Sequence, residues 1–304
     1  MGERPKKPGG RAGGREGWLL VSPVVAVLLV MTVVPAIYLL YNSFFSFTLL
    51  SPQLKSFVGL ANYAYVLTDP SIRNGLFITA LFVVLAVGLE TIIGLLLALA
   101  LQRRTIGNTI ASTLLLLPFA VTPVVSALLW RELLNPNYGW VDYYLQRIGL
   151  IGEPIEWLSS TTTAWVALVG LDVWQWTPFV ALILMAGLQG IPQEPREAAA
   201  VDGATEWGMF WHVTLPLLRP FIAIAVLLRV VEAFKTFATV KVLTNGGPGT
   251  STEIINLTLY RVGLQNFQIG AAAALGMVFL ILLLILVSQL LRIIGRNTDL
   301  IEEG

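Results

Sequence analysis

Six long runs dominated by apolar residues alternate with shorter polar segments along this chain. They lie near residues 18–41, 76–101, 109–131, 163–188, 218–241 and 270–291. A helix needs about 20 apolar residues to cross the hydrocarbon core of a bilayer, so each run is long enough to span a membrane. The first and last are the purest, reading PVVAVLLVMTVVPAIYLL and LGMVFLILLLILVSQLL. The fourth and fifth carry ionisable residues. The pattern predicts an all-α integral membrane protein with six transmembrane helices over 18–294, flanked by tails at 1–17 and 295–304. The first tail, MGERPKKPGGRAGGREG, is Gly/Pro/basic and is expected to be disordered. The apolar run behind it is too long for a cleaved signal segment and lacks a small-residue cleavage site, so the first helix is expected to be retained.

Composition agrees with the bilayer as the main solvent. Apolar residues make up 56% of the chain and charged residues 12%, against about 25% charged in a soluble domain. A net charge of +1 gives no reason to expect a nucleic-acid partner. The absence of cysteine excludes disulfides, thiolate nucleophiles and Cys metal sites, and the single histidine, His212, excludes a His-rich metal cluster. Lys and Arg fix an orientation. With the N-terminus in the cytoplasm, 11 fall in inside segments (Arg103 and Arg104 among them), 6 in outside loops and 2, Arg229 and Lys235, within a span, which accounts for all 19. This bias places both termini inside and the segment 189–216 on the cytoplasmic side. Loops 42–75, 132–162 and 242–269 then face outward. Their aromatic residues suit either interface anchoring or docking of an external partner.

The inside segment reads EAAAVDGATEWGMFWHVTLPLLRP over 197–220. Alanine has the highest helix propensity, so Ala198, Ala199 and Ala200 predict a short helix behind Pro195. Gly203 permits a sharp reversal because it lacks a Cβ. Helical patterning resumes over 204–213, and Pro216 and Pro220 are expected to break or kink the chain at entry to the fifth span. Such a hook suits either a membrane-surface connector or a lever that plugs into a soluble partner. His212 lies in the hook and suits an interface rather than catalysis.

Ionisable groups inside spans are costly and usually face a cavity or a partner. The fourth span holds Asp172, Gln175, Trp176 and Thr177; the fifth holds Arg229, Glu232, Lys235 and Thr236. The spacing of Asp172 with Gln175, and of Arg229 with Glu232, puts each pair on one helix face. Carboxylates and amides hydrogen-bond the hydroxyls of sugars and polyols, and aromatic faces cover their C–H surfaces. Asp172 and Arg229 also suit an ion pair between helices. Arg229 suits an anionic group on a polyol as well. Glu90 in the second span is read as an interhelical hydrogen-bonding group. With Asp172, it would serve a proton relay if the chain were a secondary transporter. No loop carries a nucleophile–base–acid set, which argues against an enzyme.

The order Glu197-Ala198-Ala199, Gly203, Val213, Leu215, Pro216 resembles the "EAA loop" of permease subunits in binding-protein-dependent ABC importers. The triplet Asp202-Gly203-Ala204 resembles the carbohydrate type. GLANYAYVLTDP (59–70), LLPFAVTPVVSALLWRELLNPNYG (116–139), VWQWTPF (173–179) and LTNGGPGTST (243–252) are similar to that family's loops and spans in the same order. The resemblance covers about 18–291. It implies the type I ABC importer permease fold and a complex with a second homologous permease, two ABC ATPase subunits and an extracytoplasmic solute-binding protein. It implies ATPase coupling through Glu197, Ala198, Ala199, Asp202, Gly203 and Pro216. ATP and Mg would be held by the ATPases; this chain would bind no cofactor, and no G-x-x-x-x-G-K-[S/T] phosphate loop occurs in it. By the same resemblance, a sugar or polyol path falls on Phe119, Asp172, Gln175, Trp176, Phe179, Arg229, Ala233 and Thr236, with Glu232 beside them.

Overall fold

The computed structural model describes residues 13–48, 50–102 and 105–302. Most of the N-terminal tail, Arg103, Arg104 and the last two residues lie outside the described residues. Among the described residues, five helices are long and apolar enough to cross a membrane, and a sixth span results if one sharply bent pair is taken together. The chain folds as two units: residues up to Val66 with 262–278, and residues 67–261 with 279 onward.

In the first unit, α1 (Gly13–Ser43) begins inside the predicted tail and runs through Pro23 and Pro35. An 18-residue apolar window within Val21–Ser43 has no buried residue, as suits a helix solvated by lipid, while Asn42 and Ser43 at its end are buried. A two-residue antiparallel hairpin follows, β1 (Phe45–Ser46) against β2 (Ser56–Phe57). Asn62 on α2 (Ala61–Thr68) donates from Nδ2 to the Ser43 and Phe45 carbonyls at 2.8 and 2.9 Å, which ties the hairpin to the end of α1. Lys55 donates to Asn42 Oδ1 at 2.8 Å and stands 4.4 Å from the Tyr41 and Phe45 ring centroids.

The second unit is built on α3 (Pro70–Leu101). Asp69 caps its start by accepting from the Ser71 and Ile72 amides. The third predicted span is not one helix. It forms α4 (Ile106–Leu115), α5 (Leu117–Ala120) and α6 (Pro123–Leu133), bent by 96° at 121–122. Thr122 precedes Pro123 and is extended, with ψ 146°, because a proline ring disfavours helical geometry in the residue before it. After α7 (Trp140–Arg147), α8 (Thr161–Gly190) is the fourth span and is capped by Ser160. The hook helices α9 (Glu194–Val201) and α10 (Glu206–Met209) lead through a wide turn, Phe210–Thr214, into α11 (Leu215–Lys235).

The chain does not break at the hook's prolines: α11 runs on through Pro216 and Pro220. The Leu215 amide donates to the Phe210 carbonyl, five residues back. This π-type turn lies just before Pro216, which falls in the first turn of α11, where an amide donor is not needed. Pro220 lies within the helix. The helix instead ends earlier than predicted, at Thr236, and a short α12 (Ala238–Leu243) follows. The loop 244–253 behind α12 takes up the GGPG turn and is pinned by Asn74 Nδ2 on the Thr250 carbonyl and Trp165 Nε1 on the Ser251 carbonyl. α13 (Ile255–Tyr260) precedes α14 (Ile269–Glu302), which continues past the predicted end of the last span.

Lipid offers helices no hydrophobic incentive to associate, so close packing and hydrogen bonds must hold them. α8 packs along α3, and α11 lies against both. One apolar cluster includes Phe82, Val87, Leu168, Leu171 and Leu257; another includes Ala98, Val180, Leu184 and Leu218. Gly187 makes the α8–α11 approach possible: a Cβ there would lie 2.5 Å from Phe221 Cγ.

Candidate functional site

Three helices of the second unit each contribute one ionisable residue to a single buried cluster. Glu90 comes from α3, Asp172 from α8 and Arg229 from α11, and their side chains are 0%, 1% and 1% exposed. Arg229 Nε donates to Glu90 Oε2 at 2.5 Å. Its Nη2 donates to Glu90 Oε1 and to Asp172 Oδ2, both at 2.8 Å. Removing an ion from water costs several kcal/mol, which only close, hydrogen-bonded pairing offsets. The triad therefore joins α3, α8 and α11 where lipid supplies no partner.

An aromatic trio adjoins it. The Arg229 guanidinium carbon stands 4.3 Å from the Trp176 ring centroid, within cation–π range. Trp176 meets Phe119 edge-on at 5.3 Å and Phe179 at 6.1 Å; Phe119 and Phe179 stack at 5.4 Å. Trp176 and Phe179 are half-buried and Phe119 is 37% exposed, so the trio keeps open aromatic surface.

The remaining predicted path residues separate from this cluster. Gln175 is buried, but its Nε2 donates to the Val121 carbonyl at 2.7 Å, at the break in the third span. Its Oε1 has no hydrogen-bond partner among the described residues. Although Arg229 and Glu232 are three residues apart, Glu232 turns to Lys235 at 2.6 Å in a pair 41% and 53% exposed. Ala233 is buried among apolar side chains. Thr236 ends α11, and its carbonyl and that of Phe234 accept from Asn256 Nδ2 at 3.0 and 2.8 Å. Asn256 lies about 20 residues further on and carries no local signal of this role. Glu90 joins the cluster as the interhelical hydrogen-bonding group its position implied.

The hook forms a second candidate site. In α9, Glu194 and Glu197 lie in the first turn, where carboxylates favour the positive end of the helix dipole. The Asp202 and Gly203 amides donate to the Ala198 and Ala200 carbonyls as the helix ends. Gly203 then reverses the chain at φ +79°, a conformation that costs side-chain-bearing residues roughly 1–2 kcal/mol. Thr205 caps α10 by accepting from the Gly208 amide at 3.2 Å. Ala198, Ala200 and Asp202 are exposed, Ala199 is half-buried, and Val201 and Trp207 are 88% and 71% exposed. His212 Nδ1 lies 3.0 Å from the Gly208 carbonyl, within the hook.

Comparison with known proteins places both sites in context. Residues 90–299 match the family model described as "Binding-protein-dependent transport system inner membrane component". The trehalose/maltose transport system permease protein MalF of Thermococcus litoralis is 38% identical over 260 residues, covering 85% of this chain and 87% of the relative. The sn-glycerol-3-phosphate transport system permease protein UgpA of Agrobacterium fabrum is 33% identical over 284 residues, covering 92% and 94%. A crystal structure of a bacterial ABC transporter involved in import of the acidic polysaccharide alginate shares the fold, with a TM-score of 0.78 at 23% identity over 93% of this chain and 96% of that one. These relatives are transport subunits rather than enzymes. With its membrane-length helices and a family match over most of its length, the chain belongs to the inner membrane components of binding-protein-dependent transport systems.

Proposed function

We propose that this chain is the membrane-spanning permease subunit of an ATP-driven ABC importer for a sugar or polyol. The exposed helix–turn–helix hook over 194–209 carries the reading. It presents a short Ala-rich helix with an acidic first turn and a fixed reversal at Gly203, a shape suited to a groove in a soluble motor. Relatives named for trehalose/maltose and sn-glycerol-3-phosphate transport support the solute class.

In this mechanism a second homologous permease pairs with the chain, and an extracytoplasmic binding protein delivers solute to the gap between them. Two cytoplasmic ATPases hold the two hooks. ATP-driven closure of the motors draws the hooks together and turns the gap outward, and hydrolysis resets it. Glu197, Ala198, Ala199, Asp202 and Gly203 form the contact, and Pro216 lies where the hook passes into α11. Both termini are cytoplasmic. Within the gap, Phe119, Trp176 and Phe179 cover the C–H faces of the solute. Asp172 and Arg229 hold Trp176 in place.

The test is solute-stimulated ATPase activity of the assembled complex in proteoliposomes. Glu197→Lys and Gly203→Val are each expected to abolish stimulation while the chain remains inserted and paired. Normal stimulation in both variants rules out coupling through the hook. Transport by the purified chain alone, driven by a proton gradient, rules out the importer reading as a whole.

A further inference from the structure

We infer that this chain's wall of the importer path is built for uncharged solutes and offers an anionic polyol no counter-ion. The inference rests on the proposed path along Phe119, Trp176, Phe179 and Arg229, and it narrows the solute class of that site.

Arg229 is the only cation among the path residues named above, and it is enclosed. A guanidinium has five N–H donors in a fixed fork. Here Nε and Nη2 serve Glu90 and Asp172, the Trp176 ring covers one face, and the side chain is 1% exposed. A phosphate or sulfonate would have only Nη1 to meet, beside two carboxylates that repel it. The cluster's charge adds a second barrier. Two carboxylates face one guanidinium, so the triad carries −1 when both are ionised and zero when one holds a proton. It is positive in neither state. On the same helix, Lys235 is neutralised by Glu232. The surface that remains open is aromatic, and ring faces carry negative potential that favours C–H and cationic groups over anions.

The cysteine-free chain allows a direct measurement. Phe119→Cys places a single thiol beside the trio. The Phe119 ring centre lies within about 10 Å of the Arg229 guanidinium, by way of Trp176 at 5.3 and 4.3 Å. In the assembled importer with cysteine-free partners, the thiol is reacted with a cationic and an anionic methanethiosulfonate of similar size. Each rate is divided by that reagent's rate with a free thiol.

The cationic reagent is expected to react at least as fast as the anionic one. Glu90→Gln and Asp172→Asn alone should preserve that order, because one carboxylate still balances Arg229. Combined, they should reverse it by about tenfold, the scale of an unpaired charge at this distance in a partly wet site. Phe179→Cys supplies a second reporter position. A faster anionic reagent without the carboxylate changes overturns the inference. So does an unaltered ratio in an inserted, assembled double variant. Uptake separates this inference from the wider reading. Transport of sn-glycerol-3-phosphate that survives removal of the second permease's lining cations sinks the inference and leaves the permease function standing; transport of no sugar or polyol of any charge sinks the function.

Discussion

The hook and the triad use the same residue types for opposite ends. In the hook, Glu194, Glu197 and Asp202 are exposed, and the first two lie in the first turn of α9, at the positive end of its dipole. In the triad, Glu90 and Asp172 are buried against Arg229 and bridge three helices. An exposed carboxylate can leave water for a partner at modest cost; a buried one has already committed its charge. The hook thus leaves its carboxylates open to solvent, while the triad ties three helices together.

Variants that sharpen this contrast differ widely in expected size. Arg229→Met strands two buried carboxylates, and breaking such a pair costs about 3–5 kcal/mol. The complex purified in detergent should melt well below the native protein; an unchanged melt would mean the triad does not brace the helices. Gly187→Val forces a side chain into Phe221, where even a Cβ would lie 2.5 Å from Cγ. Overpacking of this kind costs about 1–3 kcal/mol, read in the same melt. Thr205→Ala removes the α10 cap, worth about 1 kcal/mol. The loss should appear as faster hydrogen exchange confined to 206–209, and spread into α8 or α11 would show that the hook is not a separate cooperative piece. Lys235→Ala breaks an exposed pair worth about 0–1 kcal/mol. Glu197→Lys should move the melt by less than about 0.5 kcal/mol and yet remove solute-stimulated ATPase activity. A large stability change there would erase the distinction between the two regions.

Much of this architecture was legible in the sequence, for identifiable reasons. Apolar length alone located the five membrane-length helices and the bent pair at the third position, because lipid leaves few alternatives to a helix. Gly203 and its alanines marked the hook through local propensity. The bend in the third span had a local sign, Pro123 after Thr122, that its apolar length masked. The end of α11 at Thr236 had none, since no Gly or Pro stands there and the freed carbonyls are taken by distant Asn256. Same-face spacing did not reveal partners: Glu232 pairs with Lys235, and Gln175 donates to the Val121 carbonyl. Spacing shows which side of a helix a residue occupies, whereas its partner is chosen by neighbouring helices. For that reason Glu90 completes the charge cluster from 139 positions away in the chain.

The wide turn at Phe210–Thr214 has a mechanical corollary. A turn closed five residues back takes in one position more than an α-turn, so it absorbs a surplus residue while the shafts on either side keep their bearing. Trimming that position should tighten the coil to an ordinary turn and leave the Glu197 knob aimed as before, whereas trimming one from the regular part of α11 should swing it by about 100°.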